Sequence, residues 1–453
     1  MRDANLLLGL WLATLIPSAP VMAASLKAGV SKVDITPPAG VVLWVYSSRN
    51  TPAQGTLDPL YARVLALEAD STRLALVALD LGRTFGPASI RRIREMAKNS
   101  SRVDYVLLVA SHTHSGPAIQ DEYASGTPAW ESTALEKIGR AIDEACQRAV
   151  PARLGTGYGV TYIAHNRLRL NPDGTVTWFE RNPTKIPTAP VDPTVSVLRV
   201  DQADGKPLAI LVNYSCHAVV FGPDNFQYSA DFPGVMAQTV ERAFHNVPLC
   251  FFLQGAPGDI NPYFAVTQLQ QGALSMRDWS GQHLGEEATR VANDVRTESE
   301  PDASIQFAED LLKFRLRWNQ EKLREGLLAA FGPDVFKSYA PRIEPEMDLP
   351  VTTVLINKRI ALMGMPGEPF VDFQIDWRNR CPVKDAFFLG YANGYFGYFP
   401  TIRAATLGGN GAANSSTWTE PGAGERMVEH AVVKAYELLG KLSDIPEDLK
   451  KKE

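Results

Sequence analysis

Two of the seven histidines, His112 and His114, are separated by a single residue in the segment Ser-His-Thr-His-Ser-Gly-Pro at 111–117. The apolar run that precedes them, Val-Leu-Leu-Val-Ala at 106–110, predicts a buried strand. Residues two apart in an extended chain point to the same side, so both imidazoles can face one site where the strand ends. Because imidazole is a frequent zinc ligand, metal binding is the first chemistry that the sequence predicts.

Other polar segments follow apolar runs in the same way. They are Asp80 after 74–79, His217 after 208–212, Gly-Ala-Pro-Gly-Asp at 255–259 after 249–253, Pro-Gly-Glu at 366–368 after 360–363, and Asn-Gly-Tyr at 393–395 after 387–389. Ligands of open α/β sheets bind beyond the carboxyl ends of the strands. The joint placement of these segments therefore predicts one shared site.

A catalytic zinc ion commonly has three protein ligands and one position for water. From residue types and positions alone, we predict that the ligands are His112, His217 and Glu368. The structural alternative for His112 and His114 is a hydrogen-bonded pair of loop residues. For His217 the alternative is a buried core histidine, and for Glu368 it is a cap on a helix that begins at Phe370.

The remaining histidines give weaker signals for metal binding. His165 could line the same cleft, whereas His245, His283 and His430 fall in or beside helical patterns and are predicted to be structural.

Rival catalytic motifs do not occur in the sequence. Gly-x-Ser-x-Gly, Gly-x4-Gly-Lys-Ser/Thr and His-Glu-x-x-His are all absent. Cys216 adjoins His217, but neighbours in a strand face opposite sides, which argues against a Cys-His nucleophile pair.

Strand-like apolar runs alternate with helical patterns along the chain. This alternation predicts an α/β protein with a mixed β-sheet core flanked by helices and with the site loops at the carboxyl ends of strands. Helices are predicted at 88–96, at 135–145 behind a capping box at Thr133–Glu136, and at 233–244, 284–295 and 426–439. The Pro-rich and polar stretches 171–193 and 331–350 predict long loops or hairpins. No linker or repeat divides the chain, so we predict one domain over residues 24–453.

The first 23 residues predict a secretory signal, because the apolar run 6–13 follows Arg2 and Val-Met-Ala at 21–23 offers a cleavage site. A retained anchor is the alternative, although the run is short for a membrane span. No later segment is apolar enough to cross a membrane, so we expect a secreted or periplasmic protein. The formal net charge of −5 argues against a nucleic-acid partner.

The cysteines, which would enter an oxidising space on export, lie in apolar contexts: Cys146, Cys216, Cys250 and Cys381. Buried thiols and disulfides therefore both remain open.

With these residues in view, the sequence resembles the catalytic domain of the neutral/alkaline non-lysosomal ceramidase family. The likeness runs from Lys-Val-Asp-Ile-Thr-Pro-Pro-Ala-Gly at 32–40 to Pro-Gly-Ala-Gly-Glu at 421–425. Its motifs are Thr-His-Thr-His-Ser-Gly-Pro (here 111–117, with Ser first), Asn-Arg (166–167), a histidine that closes Asn-Tyr-Ser-Cys-His (213–217), Pro-Gly-Glu (366–368) and Asn-x-Tyr-x-x-Tyr (393–398).

The resemblance implies one zinc ion held by His112, His217, Glu368 and Tyr398. Tyr398 as a ligand follows from the resemblance alone, since by itself it would be predicted to be a core aromatic. The resemblance also implies that His114 and Arg167 face the substrate as catalytic residues.

Two departures from the family pattern affect the predicted substrate site. Gly-Asp-x-Ser-Pro-Asn stands here as Gly-Asp-Ile-Asn-Pro-Tyr at 258–263, which makes Asp259 and Asn261 the predicted substrate-binding residues. Asn261 replaces a serine; it can hydrogen-bond, but it is bulkier and is no nucleophile. The family's carboxy-terminal immunoglobulin-like domain and a later tyrosine near 406–418 have no counterpart in this sequence.

We therefore predict a zinc-dependent amidohydrolase that cleaves the N-acyl amide bond of ceramide or a related lipid, with contact to a membrane surface. Zinc would lower the pKa of a bound water to about 7, and His114 would pass a proton to the leaving amine. Five loop aromatics could line an acyl groove or pack in the core: Trp178, Phe179, Tyr263, Phe264 and Trp279.

Two alternatives remain open. One is a zinc hydrolase of a different, non-sphingolipid amide or ester, which Asn261 motivates. The other is a non-catalytic exported zinc-binding protein.

Overall fold

The computed structural model describes residues 25–449, except 47, 50 and 340–342. The predicted signal at 1–23 lies outside the described residues. In chain order the strands are β1 (Lys27–Asp34), β2 (Gly55–Thr56), β3 (Tyr61–Ala69), β4 (Thr72–Leu79), β5 (Tyr105–Ala110), β6 (Val150–Val160), β7 (Ala164–Asn166), β8 (Leu168–Leu170), β9 (Val176–Trp178), β10 (Thr194–Gln202), β11 (Pro207–Tyr214), β12 (Gln227–Tyr228), β13 (Leu249–Gln254), β14 (Ile260–Pro262), β15 (Ile305–Arg315), β16 (Glu346–Ile356), β17 (Ile360–Gly364), β18 (Glu368–Pro369), β19 (Asp385–Leu389) and β20 (Tyr398–Phe399). The helices are α1 (Pro87–Ser101), α2 (Ala129–Gln147), α3 (Asp231–Ala243), α4 (Ala273–Asp294), α5 (Gln320–Tyr339), α6 (Val371–Arg380), α7 (Ile402–Leu407) and α8 (Ala423–Leu438). Among the described residues, no helix is both long and apolar enough to span a membrane.

Two sheets pack face to face and helices cover their outer sides. The larger sheet is mixed, in the order β13-β11-β10-β6-β1-β3-β4-β5, and the smaller has the order β15-β16-β17-β19. One apolar cluster joins the facing sides, with Leu76 of β4, Leu211 of β11 and Leu362 of β17 among its members. Helices α1 and α2 pack on one half of the larger sheet, α3 and α4 on the other half, and α6 and α8 on the smaller sheet. The prediction of a mixed-sheet α/β protein is confirmed, but the second sheet was not foreseen.

Burial on both faces explains why the central strands are apolar throughout. On β4, Leu74, Leu76 and Ala78 face the smaller sheet, while Val77 and Leu79 face the helices. A strand buried on both sides has no polar face, so its sequence is a continuous apolar run rather than an alternating one.

Three β-α-β units carry the segments that the sequence singled out. They are β4-α1-β5, β11-α3-β13 and β17-α6-β19, and the two strands of each unit are parallel neighbours. Polar loops follow the carboxyl ends of these strands, where open α/β sheets place their ligand sites.

The larger sheet curls until its edge strands β5 and β13 meet. Gln254 at the end of β13 donates through Nε2 to the carbonyl of Ser111, just after β5, at 2.9 Å. The loop after β19 bridges the same two edges: the amide of Gly390 donates to the carbonyl of Gln254 (3.0 Å), and the carbonyl of Tyr391 accepts from the amide of Ala110 (3.4 Å). The ends of β5, β13 and β19 therefore converge on one place.

Some predicted local structure is wrong. The capping box at Thr133–Glu136 lies inside α2, which begins at Ala129, and the Thr133 hydroxyl donates to the carbonyl of Ala129 within the helix. The stretch 331–350 was predicted to be a long loop or hairpin, but its described part belongs largely to α5, which continues to Tyr339, and to β16, which starts at Glu346. A motif of the right composition is insufficient where tertiary packing extends the helix past it.

Helix α4 begins at Ala273, well before the predicted start at Leu284. The part that the prediction missed contains Gly281, and Gly285 follows directly after the predicted start. A Cβ on Gly281 would lie 2.5 Å from Cβ of Val235 and one on Gly285 would lie 2.7 Å from Cβ of Thr239, so these glycines allow α3 and α4 to pack closely. Close helix contact thus requires the residues that weaken the helical signal.

Candidate metal centre and active site

His112 lies in the turn after β5 and is held in a single orientation. Its backbone is left-handed (φ 64°), and its amide donates to the carbonyl of Leu81 at 2.9 Å. The ring stacks on Tyr391, and Nδ1 donates to the carbonyl of Gly82 at 2.6 Å. A carbonyl only accepts, so the ring proton is on Nδ1 and Nε2 presents a lone pair.

His217 follows β11 and has the same arrangement. Its amide donates to the carbonyl of Ile260 at 3.0 Å, and Nδ1 donates to the carbonyl of Pro257 at 2.6 Å. The side chain is completely buried. Its Nε2 is therefore also a free electron-pair donor, as in metal-binding histidines that are oriented by a carbonyl on the other nitrogen.

Glu368 brings a carboxylate to these two imidazoles. Its Oε2 lies 3.1 Å from Nε2 of His217 and 3.6 Å from Nε2 of His112. The other oxygen, Oε1, accepts from the hydroxyl of Tyr395 at 2.6 Å. Helix α6 has Phe370 at its N-cap and no side-chain capping bond, so the alternative of Glu368 as a helix cap is wrong.

The protonation states suit a cation. Burial lowers the pKa of His112 to about 3 and lowers that of His217, so both rings are neutral at physiological pH. Burial alone would raise the pKa of Glu368, but His112, His217 and Tyr395 outweigh it and hold the pKa below its usual range. Two neutral imidazoles and one ionised carboxylate, aimed at a single point, are a donor set that zinc prefers.

His114 lies on the same cluster and offers a second choice of third ligand. The donor atoms of His112, His114 and His217 all lie within 4.8 Å of one another. Nε2 of His114 is 3.1 Å from Nε2 of His112, a contact in which His114 must donate because the proton of His112 is on Nδ1. Nδ1 of His114 is buried without a partner, so this ring lacks the orienting bond that the other two histidines have.

Arg167 lies beside the cluster, and both terminal nitrogens of its guanidinium donate hydrogen bonds to the protein. Nη1 donates to Oδ1 of Asn261 at 3.1 Å, and Nη2 donates to the carbonyl of Gly258 at 2.7 Å and to the hydroxyl of Tyr398 at 2.9 Å. Its amide donates to the carbonyl of Asp259 at 2.8 Å. The short antiparallel pair β7–β14 sets this position.

Tyr398 is brought next to Glu368 by the two-stranded pair β18–β20, in which the two residues are register partners. Burial raises the pKa of the Tyr398 hydroxyl, and the positive charge of Arg167 opposes that rise. The structure thus gathers His112, His114, His217, Glu368, Arg167 and Tyr398 at one site.

Comparison with known proteins assigns the family. A family model described as neutral/alkaline non-lysosomal ceramidase, N-terminal, matches residues 26–275. The chain belongs to this family. Neutral ceramidase of Pseudomonas aeruginosa is 29% identical over 227 residues, which are 45% of this chain and 32% of that protein. Neutral ceramidase A of Dictyostelium discoideum is 26% identical over 220 residues, 43% of this chain and 30% of that protein. The matched region therefore spans about a third of the length of these relatives.

Solved structures show the same fold. A crystal structure of neutral ceramidase from Pseudomonas aeruginosa has a TM-score of 0.73 at 20% identity, over 93% of this chain and 76% of that chain. A structure of ceramidase complexed with C2 has a TM-score of 0.70 at 21% identity, with the same coverage of both chains.

In this ceramidase-family chain, Asp259 and Asn261 are both engaged with protein partners. Asp259 accepts from the amide of Val371 at 2.9 Å and from Nδ2 of Asn166 at 2.6 Å, and burial raises its pKa to about 7. Asn261 accepts from Arg167 and donates to the carbonyl of Glu180 at 3.0 Å. The two predicted substrate-binding residues thus lie at the site, where they support α6 and Arg167.

The loop aromatics divide into two groups. Trp178 is 40% exposed, and the guanidinium of Arg167 lies 5.0 Å from its ring centroid, at the edge of the site. Phe264 and Trp279 instead pack on each other with ring centroids 5.2 Å apart. Of the predicted aromatics, Trp178 has the clearest contact with the site.

The other histidines lie outside the cluster. His165 is hydrogen-bonded to the carbonyl of Phe179 at 2.8 Å, and His283 is hydrogen-bonded to the carbonyl of Trp279 at 2.8 Å. His430 is hydrogen-bonded to the carboxylate of Asp310. All four cysteines are free thiols in the structure.

Sequence reasoning missed the groups that orient the candidate ligands. The carbonyls of Gly82 and Pro257 are backbone groups, which every residue has, so the residue type gives no indication that they orient a ligand. Tyr395 could have been found from the sequence, because it is the last residue of the polar segment 393–395 that follows β19. Tyr391 precedes that segment in the same loop. Neither tyrosine is among the predicted site residues.

Proposed function

We propose that the protein is a zinc-dependent amidohydrolase that cleaves the N-acyl amide bond of ceramide or a related N-acyl lipid. The observation that carries the proposal is the convergence of Nε2 of His112, Nε2 of His217 and Oε2 of Glu368, all buried and all presenting electron pairs rather than protons. Membership of a family whose relatives are named neutral ceramidases supports the choice of substrate.

The residues fit a zinc ion. We propose His112, His217 and Glu368 as its ligands, with Tyr398 completing the set. Each of the first three has its second polar atom bonded to the protein, which is the orientation that ligands need, whereas Nδ1 of His114 has no partner. When bound, zinc supplies a water of lowered pKa and polarises a carbonyl oxygen.

Arg167 stabilises the charge that develops on the acyl oxygen. Its guanidinium is buried, always protonated and fixed by Asn261 and Gly258. A fixed donor in a site that excludes water stabilises an oxyanion more than the same donor does in solvent, and loss of such a donor typically raises the barrier by about 3 kcal/mol.

His114 carries the proton. Hydrolysis of an amide adds a hydroxyl to the acyl carbon and a proton to the nitrogen as the C–N bond breaks. His114 is neutral because burial lowers its pKa, and its imidazole can accept a proton and return it to the leaving amine.

The location and the partner follow from the same proposal. We propose that the protein is exported, on the basis of the first 23 residues, and that it takes its lipid-like substrate at a membrane surface. The half-exposed Trp178 beside Arg167 would contact the acyl chain there.

One observation favours a second candidate, a zinc hydrolase of a different, non-sphingolipid amide or ester. Both polar atoms of Asn261 already bond Arg167 and Glu180, so only one N–H and one lone pair of this fixed side chain remain for a sphingoid hydroxyl. Such a site would accept simpler acyl compounds.

The test combines metal analysis with a substrate panel of ceramide, another N-acyl amine and the matching ester. We expect about one zinc ion per chain in the wild type, chelator-sensitive hydrolysis of ceramide, and loss of both in His217→Ala. The matched control is His283→Ala, an exposed histidine outside the cluster. Hydrolysis of the other compounds without ceramide turnover would favour the second candidate, and zinc binding with no hydrolysis would indicate a non-catalytic protein.

A further inference from the structure

The hydroxyl of Tyr391 is buried and has no hydrogen-bond partner among the described residues. The ring lies flat on His112, with centroids 4.2 Å apart and an interplanar angle of 19°. Buried hydroxyl groups are normally bonded, so an orphan beside a candidate active site requires an explanation.

The backbone fixes Tyr391 between the two loops that carry candidate zinc ligands. Its amide donates to the carbonyl of Gly367 at 3.0 Å, and its carbonyl accepts from the amide of Ala110 at 3.4 Å. Its φ of 50° is left-handed, a conformation that a bulky residue rarely adopts. Strained backbone of this kind persists only where the surroundings hold it, and it is concentrated at functional sites.

The ring of Tyr391 is stacked on His112 and is nearly parallel to the ring of Tyr395, whose hydroxyl donates to Glu368, with centroids 6.1 Å apart. Burial raises the pKa of the Tyr391 hydroxyl well above the usual value, the charge of Glu368 raises it further, and the charge of Arg167 lowers it. The charges of both groups thus act on the hydroxyl, yet it is bonded to neither of them.

Two neighbouring tyrosines show that the site uses such hydroxyls. Tyr395 donates to Glu368, and the hydroxyl of Tyr398 accepts from Arg167. Stacking on His112 requires only an aromatic ring, which phenylalanine would provide. Stacking therefore does not account for the oxygen of Tyr391.

We propose that the Tyr391 hydroxyl donates a hydrogen bond to the acyl oxygen of the bound N-acyl substrate, next to Arg167. The inference rests on the proposed function. As the water oxygen bonds to the acyl carbon, the carbonyl π electrons move onto the acyl oxygen, and the phenol stabilises that charge without giving up its proton. Tyr391 is then a catalytic residue that the family motifs do not include.

The test compares Tyr391→Phe with Tyr395→Phe, each of which removes a single hydroxyl. For Tyr391→Phe we expect unchanged zinc content, a melting temperature no lower than that of the wild type, and kcat/KM reduced about 100-fold. For Tyr395→Phe we expect weaker zinc binding, because Glu368 loses its orienting donor.

A second readout does not depend on turnover. Binding of dodecanoate, a carboxylate with the shape of the acyl product, is measured by calorimetry on zinc-loaded protein. We expect Tyr391→Phe to weaken it about 10-fold, since one charge-assisted hydrogen bond is lost.

An unchanged kcat/KM and an unchanged dodecanoate affinity in Tyr391→Phe would overturn the inference. So would a variant that loses zinc or unfolds, because the hydroxyl would then be structural. A wild type that hydrolyses no amide would refute the proposed function instead, and the dodecanoate comparison would still decide whether Tyr391 binds an acyl oxygen.

Discussion

The site has two halves that are built differently. The ligand half consists of His112 and His217, in the loops after β5 and β11, and of Glu368 on β18, the short strand that follows β17. The Arg167 half consists of Arg167 and Asn261, which are positioned by the two-stranded pair β7–β14. Glu368 and Tyr398 are register partners in the pair β18–β20, which joins the two halves. The ends of strands in the larger sheet thus position the two histidines, and the short antiparallel pair β7–β14 positions the groups that would act on the substrate.

This difference separates metal binding, which depends on the ligand half, from substrate preference, which depends on the Arg167 half. The ligand half is oriented by backbone carbonyls and one tyrosine, so its geometry depends on the core. The Arg167 half is oriented by side chains such as Asn261, which can change without disturbing the core. We therefore expect metal binding to be insensitive to changes in the Arg167 half and substrate preference to be sensitive to them.

The largest effect is expected in the ligand half, where a pair of variants decides whether Glu368 or His114 is the third zinc ligand. Glu368→Gln removes the charge and keeps the shape, and we expect it to lose zinc and reduce hydrolysis to background. His114→Gln should keep zinc and reduce kcat about 100-fold through loss of the proton carrier. Zinc content of the two purified variants is the measurement. If His114→Gln loses zinc and Glu368→Gln retains it, the three histidines form the metal site instead.

A smaller effect is expected for Arg167→Lys. Lysine keeps the charge but cannot bond Asn261, Gly258 and Tyr398 at once, so the donor that faces the acyl oxygen is lost. We expect kcat/KM to fall about 100-fold with zinc content unchanged. Arg169→Lys, an exposed position two residues on, is the matched control. Loss of zinc in Arg167→Lys would show that the two halves are not separate.

The smallest effect is expected for Asn261. Asn261→Ala removes one acceptor from Arg167, and we expect about a 10-fold loss of kcat/KM, in the range typical of groups that orient a functional residue. Asn261→Ser frees space and supplies a hydroxyl, so the ratio of ceramide turnover to simple N-acyl amine turnover should rise. Steady-state kinetics on both substrates measures the two effects, and an unchanged ratio would remove Asn261 as a determinant of substrate preference.

The two halves also differ in how far the sequence predicted them. His112, His217 and Glu368 could be selected from residue type and strand ends, because the carboxyl end of a buried strand is visible as the end of an apolar run. Tyr398 and Arg167 came only from family resemblance. The pairing of β7 with β14 and of β18 with β20 depends on loop paths that leave no periodic signal.

The fold was predicted in part for a related reason. Continuous apolar runs showed strands buried on both faces, and this held for β4, β11 and β17. The apolar runs did not show whether each face of the larger sheet was covered by helices or by another sheet, so the packing of β16 and β17 on the larger sheet was missed. The curl that joins β5 to β13, on which the whole site depends, arises from twist accumulated over the larger sheet and has no local sequence signal.

The most direct measurement is anomalous X-ray diffraction at the zinc absorption edge on crystals of the purified protein. We predict a single strong peak about 2.1 Å from Nε2 of His112 and Nε2 of His217 and within bonding distance of a Glu368 oxygen. A peak at another place, or a peak bound by the three histidines with Glu368 turned away, would contradict the proposed centre.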